Sequence, residues 1–358
     1  MRRIKKNTES RGQGIVNRKK HNGMTRSERT ARSLLLLAVT LCALWGAWNI
    51  LAPKPAAAVN APPATVARTE TVDAAEPAGE TEQPTAETSE PAEEVDQTYR
   101  RKKDCWTFLI VGMDKSGGNT DSLMLVTYDV ANQSVSVGSI ARDTRVDVSR
   151  KLKKINAAYA EGEMDELMRE VSLTFGVPID YYLRVRINGF VKLVDAVGGV
   201  DFDVPCSMNY DDPYQDLSIH YRKGMQHLSG RQALEVCRFR QNNGGGGYGD
   251  EGRQETQRAV LTLVMKKMLA NPGKFNQYAE IAAEALDTNL TVGNIIWFAT
   301  KALGFDTENL NTMSMPCEWI SPYMYLDPDA TLEMVNEYFN PYVLPRTAEQ
   351  LDIITRKK

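Results

Sequence analysis

Residues 33–53, SLLLLAVTLCALWGAWNILAP, carry no charge, and this run sets the first limit on what the chain can become. A helix of that length rises about 30 Å, the thickness of a bilayer core. Before it lie eleven lysines and arginines against only Glu9 and Glu28. The positive-inside rule then keeps residues 1–32 in the cytoplasm and sends Lys54 and everything after it outside. A cleaved signal peptide is the alternative, because PKPAAAV offers small residues to a peptidase. The length of the apolar run and of the basic arm favours an anchor. Cys42 follows Leu41, where a lipoprotein cleavage site needs a small residue. The basic arm has no helix-turn-helix pattern, and topology already accounts for its charge, so no nucleic-acid partner is expected.

Residues 54–103 read as a disordered extracellular linker. Up to about residue 98 they are rich in Ala, Pro, Thr and Glu, with too few large apolar side chains to offset the entropy of ordering. The folded domain is expected over 104–345, with a tail at 346–358. TFLIVG, SLMLVTYD and SVSVGSI are three short apolar runs separated by turn residues, the pattern of an antiparallel meander. KINAAYAEG and DELMREVSLTFG have helical periodicity, and YYLRVRI alternates as a strand. NGFVKLVDAVGGV reads as a helix capped by Asn188 and ended by a glycine pair. SGRQALEVCRF follows as a helix capped by Ser229, and a long helix starts near Asp250, its candidate cap. Strands interleaved with helices predict a mixed α/β sheet covered by helices. Cys105, Cys206, Cys237 and Cys317 allow three full pairings; a disulfide and free thiols both stay open, and no C-x-x-C motif supports zinc or redox chemistry.

Three stretches could carry chemistry. In GMDKSGGNTDS, Asp114 and Asp121 stand at the two mouths of one loop between strands. They serve either as turn residues or as hard oxygen ligands suited to Mg²⁺ with open positions for phosphate. In SIARDTRVDV, Arg142 and Asp143 directly follow a strand, which is a surface ion pair or part of a site. In CRFRQNNGGGGYGDEGRQETQR, Arg238 and Arg240 share a face of an extended segment, with Arg253 in the first turn of the long helix. A cation there opposes the helix dipole unless an anion sits at that end. Arginine's planar fork suits a pyrophosphate; the bland reading is a solvated basic helix. The glycine run 244–247 lacks the Gly-Lys-Ser/Thr of a Walker loop and reads as a mobile lid. No G-x-S-x-G elbow and no paired histidine ligands occur.

In order, GMD, NTD, SIARDT, KINAAY, DAVGGVDFDV, GMQHLSGRQALEVCRFR and DEGR span residues 112–253. This series resembles the LytR-CpsA-Psr family of cell-wall glycopolymer ligases, with the likeness running over about residues 108–338. The resemblance implies an α/β/α layered domain with a central mixed, mostly antiparallel sheet, preceded by one transmembrane helix and the linker, with an apolar tunnel for a polyprenyl chain. It implies a membrane-anchored extracellular phosphotransferase of Gram-positive type. Such an enzyme moves a teichoic acid, capsular or other wall glycopolymer from a polyprenyl-pyrophosphate carrier to peptidoglycan, with pyrophosphatase activity on the side. Carried over by position, Asp114 and Asp121 hold Mg²⁺ (or Mn²⁺). Arg142, Arg238, Arg240, Arg253 and Gln257 bind the pyrophosphate. Asp143, with Arg142, serves the acceptor hydroxyl. Asn119 and Thr256 stand where the family often has arginine, and Arg258 or Arg145 are the candidates to replace that charge. These two departures motivate the alternative, a non-catalytic polyprenyl-phosphate or envelope sensor.

Overall fold

The computed structural model describes residues 54–57, 97–113, 120–214 and 217–354. The apolar run at 33–53, the arm before it and the loop carrying Asp114 and Asn119 lie outside the described residues. Among the described residues no helix is long and apolar enough to cross a membrane.

The chain runs β1 (Cys105–Met113), β2 (Thr120–Asp129), β3 (Ser134–Ile140), α1 (Ala158–Phe175), β4 (Tyr181–Val185) and α2 (Ile187–Ala196). Next come β5 (Val200–Val204), β6 (Met208–Asp212), β7 (Leu217–Tyr221), β8 (Gly224–Leu228), α3 (Gly230–Arg238) and α4 (Gly249–Leu269). It closes with α5 (Phe275–Ala285), β9 (Leu286–Thr288), α6 (Val292–Lys301), β10 (Leu310–Ser314), β11 (Cys317–Ile320), β12 (Tyr323–Leu326) and α7 (Pro328–Met334). The main sheet has the order β10-β3-β2-β1-β4-β9. The expected meander β1–β2–β3 is antiparallel, while β4 lies parallel to β1 and β10 parallel to β3.

β1 and β2 read as nearly continuous apolar runs because both faces of the sheet are covered. One face, with Leu109, Val111 and Leu123, packs on Tyr159, Leu167 and Val171 of α1. The other, with Phe108, Met124 and Val126, packs on Trp297 of α6 and Leu261 and Met265 of α4. The result is an α/β/α layered domain with a mixed, mostly antiparallel central sheet. A third cluster joins α2, α3 and α4 to the small β5–β8 and β6–β7 ladders through Val194, Val236, Val260, Val200 and Ile219.

Two local rules seat α3. Ser229 and Gln232 form a reciprocal capping box. A Cβ on Gly230 would lie 2.2 Å from the Val191 carbonyl oxygen, so only glycine lets α3 meet α2 this closely. Elsewhere capping departs from expectation. Asn188 lies inside α2, whose N-cap is Arg186 without a side-chain bond. Asp250 lies inside α4 behind Tyr248, because its carboxylate is taken by Arg253, Arg240 and Gln254. All four cysteines of the domain are free thiols. The described stretch just after the apolar run packs on the sheet: the Tyr181 hydroxyl donates to the Ala56 carbonyl at 2.6 Å, and Lys54 pairs with Asp104.

Candidate diphosphate site

The β2–β3 ladder ends with Leu123 opposite Ile140, and just past that end the Arg142 side chain reaches Asp121. Arg142 Nη1 meets Asp121 Oδ1 at 2.6 Å. Antiparallel pairing thus joins two motifs that stand 21 positions apart in sequence. From the helical side, Arg253 Nη2 donates to the Asp121 carbonyl at 3.2 Å and to Asp250 Oδ1 at 2.7 Å. Arg240 Nε lies 3.3 Å from the same carboxylate oxygen. Asp121, Arg142, Arg253, Asp250 and Arg240 therefore form one connected network.

Arg238 ends α3 and Arg240 follows it across the buried, extended Phe239. Arg238 lines a cavity of about 180 Å³ together with Asp121, Arg253 and Gln257. Arg186 and Ser122 also line it, and the other walls are mostly apolar, with Ile110, Met124, Val185, Phe190, Leu234 and Leu261 among them. It lies between the β1–β2–β4 face of the sheet and helices α2, α3 and α4. Side chains of this kind look like core in a sequence; only the gap between the layers separates cavity wall from core.

The electrostatics point to an anion beside Arg253 and Gln257. Arg253 is 4% exposed, yet its Nε has no hydrogen-bond partner among the described residues. Gln257 donates to the Cys237 carbonyl at 3.1 Å, and its Oε1 is also buried without a partner. Buried polar atoms in this state call for a ligand or water. Burial, then Arg253 and Arg142, hold the Arg240 guanidinium below its ordinary range. Burial pushes the Asp250 carboxyl up, but Arg253, the Gln254 hydrogen bond, Arg240 and Arg142 pull it below the usual carboxylate range. Burial lifts the Cys237 thiol beside the cavity to about 12, which removes it as a nucleophile.

Asp143 stands one residue beyond Arg142. Its carboxylate takes Lys154 Nζ at 3.0 Å and approaches Arg142 Nε at 3.9 Å. Lys154 and Asp250 are the charged partners that sequence reasoning missed. The Lys-Ile-Asn motif was the available signal for the first, since Asn156 N–H bonds the Arg142 carbonyl at 3.2 Å and brings that segment alongside. Neither candidate replacement for the missing arginines lines the cavity. Arg258 bonds Ser314 Oγ at 2.8 Å, and Arg145 lies over the Tyr323 ring. Thr256 is buried and donates to the Tyr248 hydroxyl.

The glycine run is a hydrogen-bonded turn rather than a lid. Tyr248 and Gly249 N–H both return to the Arg240 carbonyl, and Asn242 and Asn243 bond the β6 backbone. Gly247, at φ 136°, leaves no room for a Cβ, which would lie 2.5 Å from the Arg240 carbonyl oxygen. Gly247→Ala is therefore expected to cost about 1–3 kcal/mol of stability, read as a lowered melting temperature of the full chain. An unchanged melting temperature would show that the turn does not hold Arg240.

For a divalent ion, Asp121 offers a half-exposed hard oxygen donor at the cavity wall, which fits the oxygen chemistry of Mg²⁺. One of its oxygens is shared with Arg142. Asp114 lies outside the described residues, and no group of three or more metal-ligating side chains occurs among those described.

A family model, that of the LytR_cpsA_psr family, matches residues 69–340. The chain is 33% identical to the polyisoprenyl-teichoic acid–peptidoglycan teichoic acid transferase TagV of Bacillus subtilis, over 66% of this chain and 64% of the relative. It is 38% identical to the TagU transferase of Bacillus mycoides over 53% of this chain and 62% of that one. The aligned part thus spans less than two thirds of either relative's length. The crystal structure of B. subtilis TagV superposes with a TM-score of 0.55 at 30% identity, covering 65% of this chain and 94% of that one.

Proposed function

The chain belongs to the LytR_cpsA_psr family, and from that premise we propose that it is a membrane-anchored phosphotransferase acting outside the cell. It moves a wall glycopolymer from a polyprenyl-pyrophosphate carrier to peptidoglycan. The observation that supports this most directly is the cavity itself. Its walls are mostly apolar and also carry Asp121, Arg186, Arg238, Arg253 and Gln257, a combination that suits the apolar chain and the charged head of a polyprenyl diphosphate. The names of TagV and TagU, as transferases joining teichoic acid to peptidoglycan, fit the same chemistry.

In this reading the guanidiniums of Arg142, Arg238, Arg240 and Arg253 hold the diphosphate oxygens and stabilise charge on the departing polyprenyl phosphate. Gln257 helps to orient it. Asp143, kept in place by Lys154, accepts the proton of a saccharide hydroxyl. That oxygen forms a bond to the glycan-linked phosphorus as the P–O bond to the polyprenyl phosphate breaks. Asp121, with Asp114 from the neighbouring loop, would hold Mg²⁺ or Mn²⁺, which supplies further neutralisation of the diphosphate.

The test uses the full chain in detergent with Mg²⁺, a short polyprenyl-pyrophosphate glycan and peptidoglycan. Transfer is expected, with chelation by EDTA abolishing it and Asp121→Ala lowering it by roughly two orders of magnitude. Lipid binding indifferent to EDTA, with no turnover, would instead identify a polyprenyl-phosphate sensor.

A further inference from the structure

A second cavity, of about 360 Å³, opens on the other side of the charged network. Its walls include Arg142, Asp143, Asp250, Glu251, Gln254 and Trp319. Two ion pairs form the partition between the cavities. Asp121 on the first side meets Arg142 on the second at 2.6 Å, and Arg253 on the first meets Asp250 on the second at 2.7 Å. A group entering the second cavity thus meets Arg142 and Asp250, which are paired to Asp121 and Arg253 of the first.

The two cavities differ in chemistry. The first pairs apolar walls with cations. The second carries three carboxylates against the single Arg142 guanidinium, with an amide and the Trp319 ring, which is 54% exposed. Carboxylates disfavour a second anion and accept hydrogen bonds from hydroxyl groups. An exposed aromatic ring beside them offers a flat apolar surface to the C–H face of a pyranose. The ring is also fixed relative to Asp143. Trp319 pairs with Met324 across the β11–β12 hairpin. Met324 N–H donates to the Asp143 carbonyl at 2.9 Å, and Arg145 N–H donates to the Met324 carbonyl at 2.8 Å. These bonds join the hairpin and the Asp143 segment into one wall.

We propose that this second cavity is the acceptor subsite, that it takes a neutral pyranose saccharide, and that Trp319 stacks on the sugar beside Asp143. This deepens the proposed transfer reaction and rests on it. An acceptor hydroxyl placed here is separated from the first cavity by the Asp121–Arg142 and Arg253–Asp250 pairs, and transfer needs it to approach the phosphorus opposite the polyprenyl phosphate.

The experiment compares the full chain with Trp319→Ala and Trp319→Phe in three assays. These are polyprenyl-phosphate release with water as the only acceptor, transfer to a chitooligosaccharide, and saturation-transfer NMR of that saccharide. Trp319→Ala is expected to raise the acceptor KM by roughly tenfold or more, the scale of one aromatic stacking contact. It should leave release to water unchanged, and Trp319→Phe should recover most of the loss. An unchanged acceptor KM, or an equal fall in release and transfer, overturns the assignment. If the wild-type chain neither releases nor transfers, the transfer reading fails by itself. The NMR signal then decides the subsite: loss in Trp319→Ala supports it, and persistence overturns it.

Discussion

Replacing Arg253 with alanine is expected to lower phosphotransfer by about 10²- to 10³-fold, the cost of losing one preorganised donor to developing charge. This residue joins the two halves of the network. It is 4% exposed, it bonds the Asp121 carbonyl from the sheet side and Asp250 from its own helix, and its Nε has no partner among the described residues. A buried cation with an open donor is stabilised by an anion it can reach, so diphosphate affinity should fall along with turnover. Arg253→Lys separates charge from geometry. Lysine keeps the positive charge but has no planar fork, so it cannot serve Asp121, Asp250 and a phosphate oxygen together. It should restore part of the binding and little of the rate. The two variants are read by equilibrium binding of a short polyprenyl diphosphate and by single-turnover transfer. Equal rates in wild type and Arg253→Ala would remove the guanidinium cluster from the reaction.

The contrast between the halves of this site explains what the sequence can and cannot disclose. The β1–β3 meander is legible because apolar runs of strand length stand between turn residues. Once β2 and β3 pair, the end of their ladder at Leu123 and Ile140 brings Asp121 and Arg142 close enough to meet. The convergence of Arg240 and Arg253 needs Asp250, which looks like a helix cap in sequence and instead binds both guanidiniums. An acidic residue in a first helical turn satisfies either role, and only the fold selects one. The hairpins β6–β7 and β11–β12 leave little trace because their strands are short and half polar, with one face on solvent. The second cavity depends on β11–β12, so it was not visible from sequence. The glycine run misleads for a related reason. Composition signals freedom, whereas Gly245, Gly246, Gly247 and Gly249 each use positive φ to close a fixed turn onto Arg240.

A tryptophan in place of Leu261 is expected to discriminate donors by lipid length. Leu261 lies on α4, only partly buried, and lines the apolar stretch of the first cavity. A larger ring there fills open space before it strains the core, so the fold should tolerate it better than a change at a closely packed site. A buried CH₂ contributes about 0.8 kcal/mol, so each five-carbon isoprene unit is worth roughly 3–4 kcal/mol at full burial. Excluding even part of one unit should raise the KM of a long-chain donor about tenfold or more. Leu261 stands two turns beyond Arg253 on α4, a rise of about 12 Å, so a donor with only two isoprene units should stop short of it and turn over as in wild type. The guanidinium end is untouched, so kcat with the short donor is the internal control for folding and chemistry. If both donors lose activity equally, the substitution has disturbed the network and not the lipid path. If neither changes, the chain does not thread between α4 and the sheet, and the apolar gap beside Arg238 and Arg253 must serve something other than the carrier.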